Sequence, residues 1–317
     1  LYTQYDTSLI LSIIFYRLFP ESYCLSFEPY LNRYRNSEAV AKFFSWCQPK
    51  LKLPQTMIGT NGDRFPTDEE IIEQDEIIRS EIVAQSALID PLLPIDFLTK
   101  KENRANIIKK IEELKRSYLG FRSVRGDGNC FYRSFLLAVF VRFSEDPSLQ
   151  AELAALYLKI EGSKDELVKS GFPEFGIEDF WEEFRNQLVR LQTEKMDIKT
   201  VETIFTDASS SDYLVMYARF LTSWYLQTNA EKFMPYLQDC SNMLQFVRSD
   251  VEPMGKEADH VQCMALTACL DIPIQIEYLD NNPGPISRIN FPDDTHEPVA
   301  FLLYRPGHYD ALQRIKH

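Results

Sequence analysis

Histidine is scarce in this chain: four in 317 residues, at positions 260, 296, 308 and 317. Any catalytic imidazole must be one of these. Cysteine is also sparse. The six, at 24, 47, 130, 240, 263 and 269, form no CxxC pair, and the nearest two are six residues apart. Zinc-ligand spacing is therefore missing, and a disulfide framework does not suit so long a chain. No cofactor or metal is expected, and a reducing compartment fits best. Basic residues are outnumbered, 34 against 47 acidic, for a net charge of -13. Such a balance disfavours nucleic acid, which needs a basic face, and would steer a basic protein surface inward. Long apolar runs are missing as well. Leu9 to Tyr16 is broken by Arg17, too short to span a bilayer, and reads as a core or partner-facing helix, so no membrane is expected. Glycine numbers only 11, whereas aromatics reach 13% and hydrophobic residues 45%, ample for a packed core.

Residues 1–64 read as an N-terminal extension of short helical pieces, rich in Tyr, Phe and Leu, closed by a linker over Lys50 to Arg64. The first residue is Leu, which suggests a fragment or a processed end. Residues 65–100 read as a helical arm. Thr67 with Glu70 makes a capping box, and Ile71, Ile78 and Ile82 form one stripe. Residues 101–317 carry the chemistry. A helix is expected near Asn103 to Tyr118, and a mostly helical section from Pro147 to about Arg248. Within that section Phe180, Phe184, Leu188 and Leu191 share a face, and Ser211 to Leu226 is aromatic and helical. After Pro253 come a helix over His260 to Leu270, a strand at Ile274 to Tyr278, a turn at 281–285, and an apolar strand from Val299 to Tyr304 that suits a sheet covered on both faces.

The chemistry concentrates in Asp127-Gly128-Asn129-Cys130-Phe131-Tyr132-Arg133. Cys130 follows a glycine turn and opens the apolar stretch Phe131 to Phe143. At a helix N-terminus, unpaired N–H groups and the macrodipole favour the thiolate, the reactive form of cysteine. A buried structural thiol is the alternative. Gly126 and Gly128 permit close backbone approach, and Asp127 and Asn129 are turn and cap formers. A thiolate nucleophile needs a base, and the base an orienting group. His317 is terminal, His296 lies in an acidic, proline-flanked loop, and His260 reads as a partly buried helix-start histidine. His308 follows a tight turn after the apolar strand, with Asp310 two residues on. In an extended segment residues i and i+2 share a face, so the Asp310 carboxylate can hold the His308 ring. The backbone N–H groups of Cys130 and of the Asp127 turn are candidate oxyanion donors.

Together with Tyr304-Arg305-Pro306-Gly307-His308-Tyr309-Asp310, the Cys130 segment resembles the otubain branch of the ovarian-tumour deubiquitinases. Segments such as Ser211-Asp212-Tyr213-Leu214-Val215 and Glu252-Pro253-Met254 are similar too, and the resemblance covers about residues 67–315. It implies an α/β (α+β) papain-like fold, a small central sheet flanked by helical layers. It implies hydrolysis of isopeptide bonds after ubiquitin's C-terminal glycines, with preference for the proteasome-targeting lysine linkage. Cys130 is then the nucleophile, His308 the base, Asp310 its orienter, and Asp127 part of the oxyanion loop. The implied partners are ubiquitin, polyubiquitin chains and ubiquitin-conjugating enzymes, with Thr67 to Gln85 as the contacting arm. A monomer in the cytoplasm, and in the nucleus as well, is the matching expectation. The competing reading is a non-catalytic inhibitor of ubiquitin-conjugating enzymes; a general peptidase has only the shared chemistry in its favour.

Overall fold

The sequence pattern after residue 86 switches repeatedly between helical and extended periods, and the fold follows it. A computed structural model describes residues 86–237, 242–293 and 296–315. The expected arm helix over Thr67 to Gln85, the linker and the N-terminal extension lie outside the described residues. The first elements are β1 (Leu93–Pro94), a 3-10 turn (Ile95–Lys101), α1 (Ala105–Leu114) and β2 (Tyr118–Arg122). Then follow α2 (Cys130–Glu145), α3 (Gln150–Lys169), α4 (Glu174–Thr193), α5 (Ile198–Thr206), α6 (Ala208–Thr228) and the short turns α7 (Ala230–Phe233) and α8 (Met243–Phe246). The chain closes with α9 (His260–Leu270), β3 (Ile274–Tyr278), β4 (Ser287–Phe291), β5 (Ala300–Arg305) and β6 (His308–Arg314).

These strands form one sheet in the order β1-β2-β6-β5-β3-β4. β3 and β5 run parallel, and the other neighbours are antiparallel. The sheet is covered on both faces, as its apolar central strand suggests. Phe301, Leu303 and Leu312 meet Ile107, Ile111 and Leu114 of α1 on one side. On the other lies α2, whose residues from Cys130 to Val141 are all buried. Hydrophobic residues on every side of a helix require such enclosure. Phe140 of α2 stacks edge-on against Phe184 of α4 and Phe205 of α5, so the helical layer is keyed to α2 by aromatic pairs.

Local signals explain most boundaries. Asp259 caps α9 reciprocally with Gln262, and Asp271 ends it in the left-handed region at φ 57°. The helix expected to reach Tyr118 stops at Leu114, because Tyr118 belongs to β2 and its hydroxyl donates to the buried Glu277 carboxylate at 2.7 Å. The strand β4 sits at the sheet edge, partly exposed, and its weak alternation gave no sequence signal. Residues 86–100, read from the sequence as the end of the arm, pack with the rest of this unit: Ile89 bridges Val124, and Ile95 and Leu98 join the α1 cluster.

Candidate active site

The turn before α2 is shaped by one glycine. Gly128 has φ 77°, and a Cβ there would lie 1.9 Å from the Gly255 carbonyl oxygen. Only glycine admits both the dihedral and the approach. Gly126 is different: a Cβ there would meet the His308 ring at an ordinary 3.6 Å from Nδ1, so close packing alone does not demand glycine. Cys130 is the first residue of α2 and is 4% exposed. Its N–H is therefore among those with no acceptor inside the helix. Asn129 occupies the N-cap position without a side-chain cap bond, contrary to its expected capping role. Its Oδ1 instead accepts from the Gly255 N–H at 2.9 Å and from Arg219 Nη2 at 2.8 Å.

Asp127 turns inward. Its carboxylate accepts the Asn129 N–H at 3.0 Å and takes Arg133 Nη1 on both oxygens, at 3.0 and 3.1 Å, with Arg125 Nε at 3.1 Å. Burial would raise its pKa, but Arg133 and Arg125 hold it below the usual carboxylate range. Arg133 is itself fully buried and spends its remaining donors on Ser211 Oγ and Asp212 Oδ1, at 3.1 and 2.8 Å. The Asp127 side chain thus braces the turn. Arg219 completes the frame from α6: Nη1 donates to the Val251 carbonyl, and Nη2 to those of Gly128 and Lys256, while the guanidinium lies 4.4 Å from the Tyr132 ring centroid.

The β5–β6 hairpin turns through Pro306 and Gly307, the latter at φ 75°, and places His308 opposite Arg305. His308 and Asp310 lie on one face of β6, with Nε2 2.8 Å from Asp310 Oδ1. The side of the ring toward Nδ1 lies against Gly126, and the Cys130 thiol of α2 is near enough to favour the charged ring. Asp310 is wholly buried; its Oδ1 also accepts the Val124 N–H at 3.0 Å, and its Oδ2 accepts from Arg305 Nη2 at 2.5 Å. Burial would lower the His308 pKa. The hydrogen bond to Asp310 and then the nearby Cys130 thiol outweigh it and raise it to about 9.

All four residues singled out from the sequence thus meet at one place. The other described cysteines and histidines do not. Cys263 is buried beneath Tyr309 and its thiol is pushed up by burial, while Cys269 is pushed up to about 12 for the same reason. His260 is exposed, not partly buried, and stacks edge-on against Phe291; His296 is exposed beside Asp293. Cys24, Cys47, Cys240 and His317 lie outside the described residues. Among the described residues no group of His, Cys, Asp and Glu could hold a metal ion, and no helix is long and apolar enough to cross a membrane. Sequence reasoning missed Arg133, Arg219 and Arg305. The available signal was the cation at 133 inside an apolar stretch, which has to find a buried acid.

A thiol at a helix start, beside an imidazole that is held by a buried carboxylate, is the arrangement of a cysteine peptidase. The family described as Peptidase C65 Otubain has a model that matches residues 81–314, and the chain belongs to that family. The ubiquitin thioesterase OTUB1 of Homo sapiens is 36% identical over 249 residues, 78% of this chain and 90% of the relative. The OVARIAN TUMOR DOMAIN-containing deubiquitinating enzyme 1 of Arabidopsis thaliana is 33% identical over 262 residues, 76% of this chain and 85% of that one. A solved structure described as h/ceOTUB1-ubiquitin aldehyde-UBCH5B~Ub aligns with a TM-score of 0.72 at 31% identity, covering 78% of this chain and 98% of that one.

Proposed function

We propose that this protein is a deubiquitinase that cleaves the isopeptide bond after ubiquitin's C-terminus, with Cys130 as nucleophile, His308 as base and acid, and Asp310 as orienter. The observation that carries the reading is His308 held on the buried Asp310 carboxylate beside Cys130 at the start of α2. His308 holds the thiol proton as an imidazolium, leaving a thiolate to attack the carbonyl carbon. The oxyanion forms beside the Cys130 N–H, preorganised by the braced turn. As the C–N bond breaks, His308 gives its proton to the departing lysine amine, and ubiquitin remains as a thioester. Neutral His308 then takes a proton from water as that water displaces the thiolate. Named relatives that are ubiquitin thioesterases, at 36% identity over most of both chains, support ubiquitin as the acyl group.

A ubiquitin bearing a C-terminal electrophile tests this directly. Wild type should be labelled, Cys130→Ser should lose labelling and chain cleavage by on the order of a thousandfold or more, and Cys263→Ser should be unaffected. Unlabelled wild type that also fails to cut chains refutes the enzyme reading. Preference for the proteasome-targeting lysine linkage is part of the proposal, and a panel of linkage-defined diubiquitins reads it.

A second role, binding of ubiquitin-loaded conjugating enzymes, is favoured by the solved relatives described with UBCH5B~Ub and UBC13~Ub. Its sign is inhibition of chain synthesis that survives Cys130→Ser and disappears when residues 67–85 are deleted. Inhibition that vanishes in Cys130→Ser rules it out.

A further inference from the structure

The hairpin that delivers His308 delivers a second cation to the same acid. Arg305 ends β5 directly across from His308, which begins β6. His308 Nε2 meets one oxygen of Asp310 and Arg305 Nη2 meets the other. The carboxylate they share has no exposed surface, whereas the Arg305 side chain is 39% exposed. Arg305 Nε is buried without an acceptor, so the carboxylate is what the inward side of this guanidinium has to bind.

The chemistry gives that arrangement a purpose. A buried carboxylate is costly unless a cation or several donors compensate it. While His308 is protonated it supplies that cation. The reaction requires His308 to become neutral when it protonates the leaving amine, and to stay neutral until it takes a proton from water. If the imidazolium were the only counter-charge, Asp310 would resist that loss of the proton and the neutral state that follows it. The groups facing His308 are Cys130 from α2, Asp310 from β6 and the uncharged Gly126 of the loop after β2. Behind Asp310 stand the Val124 N–H and Arg305. Among these contacts Arg305 is the permanent cation.

We propose that Arg305 is a positioning residue for the reaction: a fixed counter-ion that keeps Asp310 charged and aimed while His308 gives up its proton. The inference rests on the reading of His308 as acid and base given above. Its removal leaves the imidazolium as the only cation on the carboxylate, beside the Val124 N–H, so His308 holds its proton more tightly.

The test measures His308 directly and needs no ubiquitin. Ring-labelled histidine is titrated by NMR in wild type, Arg305→Gln and Arg305→Lys, with the His308 signal assigned by its loss in His308→Gln. Arg305→Gln should move the midpoint upward by about half a unit to one unit, and Arg305→Lys should stay near wild type. With a fluorogenic ubiquitin C-terminal amide, Arg305→Gln should lose roughly tenfold in kcat at neutral pH with KM nearly unchanged, and recover part of it at higher pH. An Arg305→Gln midpoint that is unchanged or lower overturns the proposal, as does an Arg305→Lys midpoint shifted as far as that of Arg305→Gln. Melting curves identify a variant that has not folded, and Arg305→Lys then decides: loss of its His308 midpoint to a value well above wild type refutes the role. If no ubiquitin substrate is cut but the midpoints move as stated, the substrate reading fails and the Arg305 inference stands.

Discussion

The two halves of the site are held in opposite ways. The Cys130 turn is locked from behind by Asp127, Arg133, Asn129 and Arg219, all buried. The His308 hairpin has an exposed tip at Pro306 and Gly307, and its functional end is held by one carboxylate, Asp310. The nucleophile side resembles a core that happens to end in a thiol, and the base side a lever on one buried pivot. Damage should therefore show first as lost stability on one side and as altered titration on the other.

Arg133→Met should break the comparison most severely. It leaves Asp127 with Arg125 as its only bonded cation and Asp212 without its Arg133 partner, and should cost about 3–5 kcal/mol in urea unfolding. A loss below about 1 kcal/mol would show that the buried network does not hold the turn. Gly128→Ala comes next. The methyl meets the Gly255 carbonyl at 1.9 Å in a backbone region unfavourable to alanine, so the turn has to move. Activity should fall by roughly a hundredfold, as a displacement of about 1 Å can produce; wild-type kinetics would mean that the turn is not the reactive frame.

The titration side is sharper in pH than in energy. His308 is raised from 6.5 to about 9, so its favourable interactions are fully present below about 6.5 and are lost as pH rises through about 9. Activity needing the imidazolium should show its alkaline limb near 9, and wild type should lose its stability advantage over His308→Ala across that window. Activity that rises without an alkaline limb would contradict a role for the imidazolium. The smallest effect belongs to Gly307→Ala. It shares the positive φ of Gly128 but meets nothing within 4 Å, so it should cost about 1 kcal/mol and leave activity within a few-fold. Equal damage from Gly128→Ala and Gly307→Ala would erase the distinction between the two halves.

Much of the base side was legible in the sequence because its spacing is local. Two residues apart in an extended strand is enough to set His308 on Asp310, and the helix over His260 to Leu270 was readable from its own stretch of sequence. The frame behind Cys130 was not legible, because Arg133 reaches Asp212 and Arg219 reaches Asn129 across intervals of 79 and 90 residues. Sequence periodicity carries no information on such partners. The strand β4 escaped because an exposed edge needs no alternating apolar face, and helix α1 ended early because Tyr118 is drawn to Glu277, a contact made 159 residues away.

The enclosure of α2 has one more consequence. A helix sealed on every side exposes its amides to solvent only when the whole unit opens. Deuterium uptake from Phe135 to Phe140 should therefore proceed at the rate of global unfolding, and the helix bearing the reactive thiol should be among the last parts of the protein to exchange. The warhead would then be lost to heat or protease together with the entire fold, in a single cooperative event.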